Sequence, residues 1–186
     1  MMLSKFKKAF ILAPHTDDGE LGCGGTISKL IDSGVEVFYI AFSICEESVP
    51  YGFPKNQLEI EVKRATKVLG IKQGNVIIFD FQVRKFNYNR QEILEKLIAL
   101  RKIHAPDLIF MPKLDDVHQD HKTIAEEGLR AFKNKTILGY ELIWNNLKSN
   151  NSCFVILDKR NIDLKIQALK EYETQKDKVY MTKQFI

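Results

Sequence analysis

Runs that are apolar at nearly every successive position, at residues 10–13, 35–42, 76–81 and 108–111, most constrain what this chain can fold into. A strand that is apolar on both faces has to be covered on both, which is the habit of a parallel sheet flanked by helices. Between these runs lie amphipathic stretches at 21–33, 57–69 and 91–103. In the second of them Leu58, Val62, Ala65 and Leu69 form one stripe that Gly70 ends; in the third Ile93, Leu97, Leu100 and Ile103 repeat it. A further helix is expected at 120–133, with Ile124, Ala125, Leu129 and Phe132 inward, then strands at 136–143 and 153–157 and a late helix at 161–172. Strand and helix in alternation predict an α/β fold with a mostly parallel sheet and helices on both faces.

Length and composition set the bounds. With 45% hydrophobic and 28% charged residues and no linker, repeat or low-complexity tract, residues 1–186 are expected to form one domain. The net charge of +4, from 28 basic against 24 acidic side chains with no long block of one sign, reads as solvated surface and argues against nucleic acid as a partner. Cys23, Cys45 and Cys153 are odd in number and lack CxxC spacing, which fits a reducing compartment. After Lys5, Lys7 and Lys8, the apolar stretch 9–13 is too short for a signal-peptide core or a membrane span, so a cytoplasmic protein is expected.

The chemistry lies in two clusters, His15-Thr16-Asp17-Asp18 and His118-Gln119-Asp120-His121, each following a strand-like run. A catalytic zinc site needs imidazoles and a carboxylate at about 2 Å, typically three protein ligands and a water. In open parallel sheets ligands bind beyond the carboxyl ends of the strands, so both clusters are expected on one rim. Rival readings exist. Gly22-Cys23-Gly24-Gly25 has the outline of a phosphate-cradling turn, but its spacing is not GxGxxG and the acidic residues before it would repel a pyrophosphate; close packing of helix on sheet explains the glycines better. Asp17, Asp18 and Asp120 are also candidates for helix N-caps. His104 reads as a partner of a helix C-terminus, and Cys23 as a small packed residue.

The segment Pro14-His15-Thr16-Asp17-Asp18-Gly19-Glu20-Leu21-Gly22-Cys23-Gly24-Gly25 resembles the AHPDDExxLGxGG signature of the PIG-L/LmbE-like N-deacetylases, and His118-Gln119-Asp120-His121 resembles their HPDH-type second motif. The likeness runs on through Leu69-Gly70, Pro106-Asp107, the stretch 139–142 and the helix at 165–172. It implies a Rossmann-like three-layer sandwich, one Zn2+ ion and hydrolysis of an N-acetyl group, most often on an amino sugar or nucleotide sugar. Carried over residue by residue, it implies His15, Asp18 and His121 as metal ligands and Asp17 as general base. His118 would be an imidazolium facing the substrate carbonyl, with Asp120 orienting it and keeping it charged. Two imidazoles and one carboxylate also suit iron or cobalt.

The chain departs from the signature at Thr16, where proline is usual, and at Gly19, where glutamate is usual. An arginine common near the start of the second helix is replaced by the neighbourhood of Leu58 and Glu59, so substrate contacts are sought elsewhere. Arg64, Arg84 and Lys85 are basic candidates, and Trp144-Asn145 a stacking and hydrogen-bonding wall for a sugar ring. Relatives usually continue beyond Tyr180, so either a trimmed fragment or a site completed by another subunit of a homo-oligomer is expected. Two other functions fit the same residues: a non-catalytic nucleotide- or sugar-binding module, and a phosphoesterase, which wants two ions about 4 Å apart.

Overall fold

The computed structural model describes residues 3–148 and 150–185. Strands β1 (Lys8–Ala13), β2 (Glu36–Ala41), β3 (Val76–Ile78), β4 (Leu108–Pro112) and β5 (Thr136–Tyr140) form one sheet in the order β3-β2-β1-β4-β5, every neighbouring pair parallel. Lys8 to Ala13 face Glu36 to Ala41 in register, and Ala9 faces Leu108 on the other side of β1. Five helices alternate with the strands: α1 (Asp18–Asp32), α2 (Gln57–Val68), α3 (Arg90–His104), α4 (Gln119–Phe132) and α5 (Lys159–Lys170).

The period of two along each strand divides the core. Ala9, Ile11, Ala13, Val37, Tyr39 and Ala41 pack with α1, α2 and α5, whereas Phe10, Leu12, Phe38, Ile40 and Phe42 pack with α3 and α4. This is the expected sandwich with helices on both faces. Each fully buried Phe, Ile or Leu contributes about 1.5–3 kcal/mol, so β1 and β2 anchor the fold. The direction of travel across the sheet reverses between β1 and β4. A crevice therefore opens at the carboxyl ends of these two strands.

Several local expectations are corrected. Residues 153–157 lie outside the sheet: Val155 packs toward the core, but alternation without a ladder partner does not make a strand. β3 stops at Ile78 and β5 at Tyr140, and α1 begins at Asp18, three residues before the expected start. Ile103 is 72% exposed and Leu129 41% exposed. In α3 the inward place is taken by His104, whose ring packs against Phe38 at 4.4 Å and Phe10 at 5.9 Å, so it fills the core besides ending the helix. In α4 it is taken by Gly128, where a Cβ would meet the Met111 sulfur at 2.9 Å. The glycines of α1 do serve close packing, since a Cβ on Gly22 would overlap the Tyr140 ring. Among the described residues, no helix is long and apolar enough to cross a membrane.

Candidate metal centre

β1 ends at Ala13, and the turn 14–17 carries the chain into α1, so His15, Asp17 and Asp18 emerge at the carboxyl edge of the central strand. Beside it, β4 runs through a bend into α4, which begins with His118 as its N-cap. His118 Nδ1 accepts a hydrogen bond from the Asp120 amide at 3.2 Å. The neutral ring thus carries its proton on Nε2.

Three ligand atoms converge. His15 Nδ1 lies 3.1 Å from Asp18 Oδ2, His121 Nε2 lies 3.2 Å from the same oxygen, and the two ring nitrogens are 3.2 Å apart. Tetrahedral ligands at about 2.0–2.1 Å from one ion sit roughly 3.3 Å from each other. The triangle has the size and donor chemistry of such a set. A broader grouping of His15, His118 and His121 has ligand atoms within 4.8 Å of one another. The set with Asp18 is the tighter, and His118 Nδ1 is already committed to the helix amide, so His118 is left to face the pocket.

Carboxylates fix the outward nitrogens of both ligand rings. His121 Nδ1 is 2.8 Å from Asp116 Oδ2, and Asp116 Oδ1 accepts from the His118 amide at 2.8 Å. His15 Nε2 is 3.1 Å from Asp120 Oδ2. The Asp120 carboxylate therefore holds His15, not His118 as the sequence suggests. It is itself gripped by the amides of Arg84 at 2.6 Å and Phe86 at 3.3 Å. Arg84 adopts a φ of 67°, a left-handed conformation that a non-glycine residue keeps only when its surroundings demand it.

These contacts set the electrostatics. Burial alone would lower the His15 imidazole, but the Asp18 charge and hydrogen bonds to Asp120 and Asp18 raise it to about 9. His121 is raised to about 10 against the same desolvation, by Asp18 and Asp116. Burial opposes ionisation of Asp18, yet His121 and His15 hold its carboxyl well below the usual range. So much negative charge around two imidazoles suits a dication, whose binding would displace the ring protons. His118 goes the other way: burial and the neighbouring His121 and His15 push it down to about 4. These surroundings disfavour the imidazolium that the sequence suggests.

Asp17 makes no side-chain cap bond to α1, so its carboxylate is not consumed in ending the helix. Burial and the Asp18 charge push it up to about 6, with His15 and Lys178 pulling down. It lines a pocket of about 330 Å³ together with His15, Asp18, His118 and His121. Arg84, Trp144 and Asn145 line it as well, and Asn145 Nδ2 lies 3.4 Å from His121 Nδ1. Trp144 stacks on Tyr180 with ring centroids 4.2 Å apart. Arg64 is not among the lining residues: burial of Leu58, Val62 and Ala65 turns it to the exposed side of α2. Lys85 is also exposed and outside the lining.

The sequence reading passed over Asp116, Lys178, Tyr180 and the Arg84 amide. Asp116 had a signal, since a metal-binding histidine nearly always hands its second nitrogen to a carboxylate or carbonyl. Lys178 and Tyr180 had none. Because Asp116 fixes the His121 ring, Asp116→Asn is expected to weaken metal binding by about 10- to 100-fold. Chelator competition on the folded variant measures it.

The family profile described as PIG-L: GlcNAc-PI de-N-acetylase matches residues 10–132, the span that carries both clusters. The chain belongs to the PIG-L family. A diacetylchitobiose deacetylase of Thermococcus kodakarensis is 30% identical over 134 residues, 67% of this chain and 49% of that protein. The chain thus spans about half the length of that PIG-L relative. An Escherichia coli protein described as an uncharacterized deacetylase, YaiS, is 23% identical over 177 residues, 92% of this chain and 93% of its own. Among solved structures, the N,N'-diacetylchitobiose deacetylase of Pyrococcus horikoshii, complexed with an inhibitor, superposes with a TM-score of 0.76. It is 22% identical, with 93% of this chain and 72% of that one covered, a likeness that establishes the fold.

Proposed function

We propose that this protein is a zinc-dependent N-deacetylase that removes the acetyl group from a small N-acetylated amino sugar, nucleotide sugar or related glycoconjugate precursor. The observation that carries this reading is the triangle of His15 Nδ1, Asp18 Oδ2 and His121 Nε2, with an uncommitted Asp17 carboxylate lining the same pocket. Family membership and the deacetylase named among the relatives support it. When bound by His15, Asp18 and His121, the ion would polarise the amide carbonyl and lower the pKa of a water.

The chain's own residues do the rest. Asp17 accepts the proton of the attacking water and delivers it to the departing nitrogen as the C–N bond breaks, leaving acetate and a free amine. His118, neutral with its proton on Nε2, donates to the carbonyl oxygen as negative charge develops there. Asp120 and Asp116 keep the His15 and His121 rings oriented. Trp144, Asn145 and Arg84 bind the sugar and its substituents. The three free thiols suit the cytoplasm as the site of action.

The test is metal analysis of the purified protein combined with turnover on N-acetylglucosamine, N,N'-diacetylchitobiose and UDP-N-acetylglucosamine. Acetate and primary amine are expected in equal amounts, lost on chelation and restored by zinc. A protein holding one equivalent of zinc that releases no amine from any of them would be a binding module. Two equivalents would point to phosphoester chemistry.

A further inference from the structure

Thr16 and Gly19, two positions at which the chain departs from the PIG-L signature, meet at one buried assembly. The Thr16 carbonyl lies between a metal-ligand candidate, His15, and the proposed base, Asp17. It accepts two phenolic hydrogen bonds, from Tyr39 at 2.8 Å and from Tyr172 at 2.7 Å, and so uses both lone pairs. Tyr39 comes from β2 and Tyr172 from just beyond α5, and the two are 0% and 1% exposed. The Tyr39 oxygen also accepts from the Gly19 amide at 3.1 Å, which ties the first turn of α1 to the same ring. Glu20, fully buried, lies against both hydroxyls, with Oε1 3.0 Å from that of Tyr172 and Oε2 against that of Tyr39, so each phenol's single hydrogen is shared between the Thr16 carbonyl and the Glu20 carboxyl group.

A glycine at 19 is what makes this possible, because a Cβ there would stand 2.5 Å from Tyr39 Cε2. At position 16 a proline would restrict φ covalently. Threonine does not, and the carbonyl of that residue is held from two sides instead. We propose that Tyr39 and Tyr172 are positioning residues whose phenols jointly fix the Thr16 carbonyl, and with it the turn 15–18, in the conformation that aims His15 Nδ1 and Asp18 Oδ2 at one point. The proposal rests on the metal site described above, and it concerns how that site is held in shape. Release of either phenol lets the turn sample orientations in which the two ligand atoms no longer converge.

The experiment compares Tyr39→Phe, Tyr172→Phe and Tyr140→Phe with the wild type. Tyr140 is the comparison: its buried hydroxyl donates to the Leu12 carbonyl at 2.9 Å, within β1 and not to the Thr16 carbonyl. All three variants keep the ring; Tyr39→Phe removes hydroxyl contacts to Thr16, Gly19 and Glu20, Tyr172→Phe those to Thr16 and Glu20, and Tyr140→Phe the one to Leu12, so a merely structural role lowers the melting temperature in that order and leaves zinc affinity of the folded protein alone. Zinc affinity, read by chelator competition on folded protein, is expected to fall about tenfold or more in Tyr39→Phe and Tyr172→Phe and to stay within twofold in Tyr140→Phe. With zinc saturating, kcat falls in the first two while KM changes little. Wild-type zinc affinity in folded Tyr39→Phe and Tyr172→Phe, or an equal loss in Tyr140→Phe, would overturn the clamp. Failure of the wild type itself to bind zinc would instead refute the metal-site reading, so the two failures are distinguishable.

Discussion

His121→Ala is expected to yield a folded protein that neither retains zinc nor turns over substrate. The His121 imidazole is the hinge of the ligand set, 3.2 Å from both His15 Nδ1 and Asp18 Oδ2. Without it one nitrogen and one carboxylate remain, too few for a site that wants three protein ligands. The Asp116 carboxylate, 2.8 Å from His121 Nδ1 and 3% exposed, is left among the described residues with the His118 amide, at a cost of about 1–3 kcal/mol in stability. Elemental analysis after dialysis is expected to give less than a tenth of an equivalent of metal, with acetate release at background. A variant that keeps a full equivalent would remove His121 from the ligand set.

Asp17→Asn separates chemistry from binding. The amide has the shape of the carboxylate but cannot accept the proton, and general-base catalysis contributes about 10²- to 10⁴-fold. Turnover is expected to fall by that order while zinc content and KM stay near those of the wild type. The substitution removes no side-chain cap bond from α1, because Asp17 makes none. A variant that retains more than about a tenth of the wild-type rate, against the range expected for a lost base, would free Asp17 from its role and make another group the proton acceptor.

Much of this architecture is legible in the sequence. The runs around residues 10–13 and 108–111 are apolar at every position because β1 and β4 are covered on both faces, and a His/Asp cluster follows each, directly at His15 and after the bend 112–117 at His118. That local pattern was enough to expect a parallel sheet and to bring the two clusters to one rim. Helix phase was less secure. Ile103 and Leu129 fit an apolar stripe by spacing, yet the inward places fell to His104 and Gly128, whose fit depends on the opposing Phe10, Phe38 and Met111.

The partners of the site residues were decided elsewhere. Asp120 is two residues from His118 in sequence, but in the folded chain its carboxylate meets His15. The amides that grip it come from the loop after β3, and the phenols that hold Thr16 come from β2 and from beyond α5. By itself the sequence determined the period of each element and the chemistry at its ends, since these follow from neighbours within a few residues. Only the tertiary structure, through the strand order β3-β2-β1-β4-β5, decided which side chains meet. Strand order is a choice among long-range pairings with nearly the same local pattern, and packing of the whole sheet settles it.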